Sequence, residues 1–161
     1  ETFDFGDDMN HAHVQPNGAY HYHGMPELLI EFLGNNKGMT IVGWASDGFP
    51  VYARYGFSEA DNSKSSVIAL KPSYRLKSQP DTGRPSTLTA LLGGPNSNNN
   101  LNIPIEMGAF TQDYEYIEGS GDLDQCNGRY GVTPEFPDGI YYYVVTDDFP
   151  FFTRCLKGEF N

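Results

Sequence analysis

At 161 residues the chain is long enough for one hydrophobic core and too short to expect two. Its net charge of −11 excludes nucleic acid and anionic membranes as partners, because phosphate binding needs a basic footprint; the charge suits a solubilising acidic surface or a cation. Plentiful Gly, Pro, Tyr and Phe (18, 11, 11 and 11 residues) favour short strands and tight turns over long helices, and no apolar run approaches the roughly 20 residues of a membrane helix.

In chain order, strand patterns fall at Asn10–Val14, Ala19–His23, Thr40–Ala45, Pro50–Tyr55, Val67–Leu70, Phe110–Ile117 and Gly139–Thr146. Pro26–Leu33 carries Leu28, Leu29, Phe32 and Leu33 at helical spacing and stops at Gly34; Ser86–Leu92 offers a Ser cap before Gly93-Gly94 and is predicted as a second short helix. Ser58–Ser66 reads as an exposed loop, Gly93–Asn100 as a surface loop, and Asp47-Gly48 and Asp138-Gly139 as turns. The fold class is therefore mainly β, a single-domain sandwich or partly closed barrel with one or two short helices.

All four histidines lie between residues 11 and 23, as His11-Ala12-His13 and His21-Tyr22-His23. Pro16-Asn17-Gly18 between them fits a type I turn followed by a left-handed glycine, a three-residue loop that pairs Gln15 with Ala19. Counting outward, His13 opposes His21 and His11 opposes His23. Opposed residues share a face and side chains alternate along a strand, so all four imidazoles are predicted on one face. Ala12, Val14, Tyr20 and Tyr22 fall on the other, predicted to pack inward. A two-residue turn would shift the register by one and split the histidines. Clustered imidazoles favour their neutral form, whose lone pairs suit a divalent transition metal, copper or zinc first. Four ligands would make a closed site; three and a water would make an open one of catalytic type.

The stretch Pro16-Asn17-Gly18-Ala19-Tyr20-His21-Tyr22-His23-Gly24 resembles the signature of the YHYH domain family. The resemblance continues in Val42–Tyr52, Gly108–Phe110, Asp113–Tyr116, Gly121–Arg129 and Thr133–Gly139, and ends in Phe149-Pro150 ahead of Cys155. It implies one YHYH-type domain over residues 1–161 and a secreted, extracellular or periplasmic location; it implies no particular reaction. Family members carry more sequence upstream of the histidine motif, so this chain is expected either to be a processed fragment or to lack a strand or two upstream. Glu1–Phe5 has no basic or apolar leader character, in keeping with a processed product. In an exported protein the even pair Cys126 and Cys155 is expected to form a disulfide, worth roughly 3–4 kcal/mol.

Other constellations are weaker. Asp122, Asp124 and Asn127 alternate oxygen donors before Gly128, like the start of a calcium loop, with Glu135 as a distant acid; an Asx-rich turn explains them equally well. Asp47 could orient a metal-bound histidine, and Asp113 or Glu115 could serve as carboxylate ligand or base, although turn and solvated-strand roles account for all three. No nucleophile elbow, phosphate loop, dinucleotide fingerprint or His-Glu-x-x-His helix occurs. The leading expectation is a secreted domain that captures a transition metal or is held together by it. The alternatives are a metal-dependent hydrolase or oxidoreductase with an open histidine site, and a calcium-dependent module for a glycan or protein partner.

Overall fold

The computed structural model describes residues 8–33, 37–91 and 100–159. It is mainly β: β1 (Ala12–Val14), β2 (Tyr20–Tyr22), α1 (Glu27–Phe32), β3 (Thr40–Trp44), β4 (Pro50–Ala53), β5 (Tyr55–Phe57), β6 (Val67–Ala69), β7 (Tyr74–Leu76), β8 (Thr87–Leu91), β9 (Asn100–Pro104), β10 (Tyr114–Tyr116), β11 (Gly128–Gly131) and β12 (Ile140–Val145). The sheets do not close into a barrel, and the arrangement is consistent with a sandwich. The chain divides into two compact units, residues 1–74 with 116–161, and residues 75–115.

The larger unit is built on a four-stranded sheet in the order β11-β12-β4-β3. β12 pairs antiparallel with β11 and parallel with β4, while β3 pairs antiparallel with β4 across a bulge between Ile41 and Gly43. Alternation along β12 explains why it is central: its two faces feed two cores. Tyr142 and Val144 join Met39, Tyr52, Phe57, Leu70 and Leu123 on one side; Val145 joins Met25, Ile30 and Ala53 on the other. At roughly 1.5–3 kcal/mol per large buried side chain, these clusters carry most of this unit's apolar stabilisation.

The expected strand Pro50–Tyr55 is two strands. Arg54 between them has a left-handed φ of +30°, and its guanidinium is held by Glu27 and, at 3.3 Å, by Asp147. The ion pairs fix a backbone turn that the local sequence does not signal. Cys126 and Cys155 are disulfide-bonded, with Cα atoms 4.7 Å apart, as expected from the even pair.

In the smaller unit, the helix expected at Ser86–Leu92 is instead strand β8, paired antiparallel with β9. Thr-Leu-Thr-Ala-Leu alternates with period two, and its threonines favour extended backbone; Thr89 bonds across to Asn102 at 2.9 Å. Leu92 and the loop expected at Gly93–Asn100, apart from Asn100, lie outside the described residues, as does Gly34 after α1. Within the expected strand Phe110–Ile117, Thr111–Asp113 form a 3-10 turn and only Tyr114–Tyr116 pair as a strand, β10.

Candidate metal centre

The histidine hairpin has the register read from its turn. His13 opposes His21, flanked by Ala12 with Tyr22 and Val14 with Tyr20. Gly18 is left-handed at φ +87° and donates to Gln15 O at 2.8 Å, and Gln15 N donates to Ala19 O at 2.8 Å, closing the three-residue loop. A Cβ at that φ would be strained, which is why the loop needs glycine there.

Three of the four imidazoles gather. The ring centroids of His13, His21 and His23 are 4.5, 4.5 and 4.6 Å apart pairwise, and one ligand atom from each lies within 4.8 Å of the other two. His21 and His23 bring their Nε2 atoms to 2.8 Å, so one ring donates to the other. His21 Nδ1 lies 3.5 Å from Ala19 O, which aims its Nε2 at the cluster. His13 and His21 are half-buried and His23 is exposed, so the cluster opens to solvent. Among the described residues no other set of three His, Cys, Asp or Glu side chains gathers in this way.

His11 is not in the cluster. Its carbonyl accepts from His23 N at 2.6 Å, so the pairing continues, but its φ is +53°. A left-handed residue leaves the alternation of the strand, and the ring turns to Gly24, where a Cβ would come within 3.0 Å of His11 Cβ. The four-histidine face becomes a three-histidine cluster.

The opposite face also departs from expectation. Ala12 is fully buried, but Val14, Tyr20 and Tyr22 are 60, 48 and 37 % exposed. The base of the hairpin enters the core and its tip does not. Tyr20 stacks edge-on against Tyr22 and donates to Asp8 Oδ2 at 2.7 Å. That bond, with the amides of Asn10 and Ala12, holds the Asp8 carboxyl below its ordinary value.

None of the carboxylates proposed as helpers bonds to these rings. Asp47 Oδ2 accepts from Tyr143 Oη at 2.5 Å and from the amides of Lys157 and Gly158 at 3.1 and 3.0 Å. Burial pushes the Asp47 carboxyl up, but these donors outweigh it and the net shift is downward. Burial and the same bond push the Tyr143 phenol up to about 12. Asp47 thus ties the C-terminal segment to the sheet. Asp113 is buried against Arg84, with Nε–Oδ1 and Nη2–Oδ2 distances of 2.5 and 2.9 Å, and accepts the amides of Gly108 and Phe110. Arg84 first, and those amides after it, hold its carboxyl well below the carboxylate range against the cost of burial. Glu115 pairs with Arg75 at 2.9 Å.

The calcium-like loop is likewise occupied by its own chain. Asp122 accepts Lys71 N, and Asp124 accepts the amides of Cys126 and Gly128 and the Tyr141 hydroxyl. Asn127, left-handed at φ +59°, is buried and donates to Val144 O and Thr146 Oγ1, its Oδ1 finding no partner among the described residues. Glu135 accepts from the Tyr52 hydroxyl at 2.7 Å.

The profile of the YHYH protein family matches residues 1–158. The chain belongs to the YHYH family. In this YHYH protein the namesake Tyr20-His21-Tyr22-His23 supplies two of the three clustered rings, and His13 on the facing strand supplies the third. No curated protein and no solved structure matches the YHYH chain. Arg84 drew no attention in the sequence: it acquires its role only through Asp113, 29 positions away.

Proposed function

We propose that this YHYH protein is a secreted domain that binds a divalent transition metal, zinc or copper, through His13, His21 and His23. The observation that carries the reading is the convergence of three imidazoles from two strands, half open to solvent. A tetrahedral zinc at 2.0–2.1 Å from each nitrogen needs donors roughly 3.3–3.4 Å apart. The closest pair here is at 2.8 Å and none exceeds 4.8 Å, so changes of about 0.5–1.5 Å in the nitrogen separations, by ring rotation, bring them to that spacing. Three neutral ligands leave a fourth position for water or an external donor. The disulfide is compatible with an oxidising, extracellular setting.

Capture or structural binding is favoured over catalysis because Asp47, Asp113 and Glu115 are each committed to other partners. A metal-activated water would lack a carboxylate base from that set. Elemental analysis of the protein purified without added metal, followed by calorimetric titration of the chelated protein with Zn²⁺ and Cu²⁺, tests the reading. One equivalent bound, lost on replacing His13 or His21, supports it; binding that survives loss of both overturns it.

A further inference from the structure

The hairpin has a second face, and it borders a cavity. Tyr22, between ligands His21 and His23, points away from the rings and forms one wall of a groove of about 220 Å³. Val42, Val51 and Val145 line it from the sheet, and Trp44 and Phe152 complete the aromatic rim. Every lining side chain is uncharged. Val145 is buried in the second core, and Val42, Val51 and Phe152 pack against it, so the sheet side is rigid. The Tyr22 wall has less support: it stands on a two-stranded ribbon of three residues per strand, joined to the core at its base through Ala12.

We propose that this groove binds a small uncharged aromatic ring, and that metal at His13, His21 and His23 strengthens the binding by fixing Tyr22. The inference rests on the metal reading above. An enclosed apolar cavity of about 150 Å³ accommodates benzene, so this groove of about 220 Å³, open to solvent along part of its length, has room for one ring with a small substituent. A charged ligand would lose its hydration with no partner in the lining. The coupling follows from strand alternation. His13 lies on β1 and His21 and His23 flank Tyr22, so one ion joins both strands and pins the backbone on either side of the wall residue. Metal and ring ligand then each favour the same ordered hairpin, and each must tighten the other by an equal factor.

Trp44 is the sole tryptophan in the chain, so its fluorescence reports on the groove directly. The experiment titrates benzyl alcohol into zinc-loaded and chelated protein while following Trp44 emission. A saturable change is expected in both states, about tenfold tighter with zinc, within the usual 5–150-fold range of coupling. Tyr22→Ala should retain zinc binding by calorimetry, which also shows that its hairpin is intact, and should lose the zinc dependence. His13→Ala should lose zinc binding and keep only the weak, zinc-insensitive titration. Equal affinity with and without zinc, in protein shown to bind zinc, overturns the coupling, as does a zinc dependence that persists in Tyr22→Ala. The absence of any saturable response overturns the ring site. Failure of the unaltered protein to bind zinc is a separate result that overturns the metal centre and the coupling with it.

Discussion

Replacing the histidines one at a time discriminates the three-ring cluster from the four-ring face that alternation alone implies. A ligand that binds only the native state at 100 times its Kd stabilises it by about 2.7 kcal/mol. For a chain of this size each kcal/mol moves Tm by about 2–4 °C, so saturating zinc should raise Tm by about 5–11 °C. The full effect reaches the global transition because the hairpin base is joined to the core: Ala12 is buried and Asn10 Oδ1 accepts Leu28 N at 3.0 Å. His13→Ala, His21→Ala and His23→Ala should each abolish the shift, and each should weaken zinc by more than the 10–100-fold typical of losing an outer-shell partner. His11→Ala should leave the shift within about 2 °C of the original, since the left-handed backbone at residue 11 carries its ring to Gly24. Differential scanning fluorimetry with and without Zn²⁺ measures all five proteins. A His11→Ala loss equal to that of His13→Ala would refute the three-ring geometry.

Further outcomes follow from the rest of the molecule. Asp113→Asn should raise amide exchange within residues 75–115 on the order of tenfold or more, measured by mass spectrometry, because it leaves the buried Arg84 charge uncompensated. The sign of its pH dependence is fixed: a carboxyl depressed in the folded state contributes fully above its unfolded value near 3.8, and that contribution is lost as pH falls toward the folded value. Acid unfolding of Asp113→Asn should thus begin from lower stability and show a shallower slope below about pH 4. Thiol titration of the unreduced, denatured protein should find no free thiol, and Cys155→Ser should cost roughly 3–4 kcal/mol for a 29-residue separation, read from urea midpoints. Millimolar Ca²⁺ should leave Tm of the chelated protein unchanged, because Asp122 Oδ2 and both oxygens of Asp124 already accept bonds from their own chain.

Local chemistry was legible wherever a short stretch decides its own geometry. Pro16-Asn17-Gly18 fixed the loop length, the loop length fixed the register, and the register put His13 opposite His21. The turns at Gly48 and Gly139 and the disulfide were readable for the same reason. What escaped depends on residues far apart in the chain. The break at Arg54 is held by Glu27 and Asp147, and nothing near residue 54 signals it. Asp113 looked like a free strand carboxylate until Arg84 met it, 29 positions away. His11 failed the alternation rule because strand β1 starts at Ala12, two residues later than the Asn10 start the pattern implies, after a turn in which Asp8 Oδ1 accepts the amides of Asn10 and Ala12. Tyr20 and Tyr22 were assigned to the core by the face they share with Ala12, but Tyr20 lies toward the hairpin tip, beyond the core, and Tyr22 only borders the groove beside the second core.

The parallel pairing of β4 with β12 sets the order in which this protein can be made. Val51, Tyr52 and Ala53 find their partners at Tyr143, Val144 and Val145, and those same residues close both cores. A ribosome delivers the chain from its N-terminal end, so β3 and β4 are made well before the strand that covers the inner edge of β4. Closing so long a loop is also slow, because its entropy is lost before any contact repays it. Tyr52, fully buried at the end, lacks its ring partner Tyr142 throughout that interval. A chain cut short of residue 145 therefore leaves β4 without its parallel neighbour and both cores without their β12 residues.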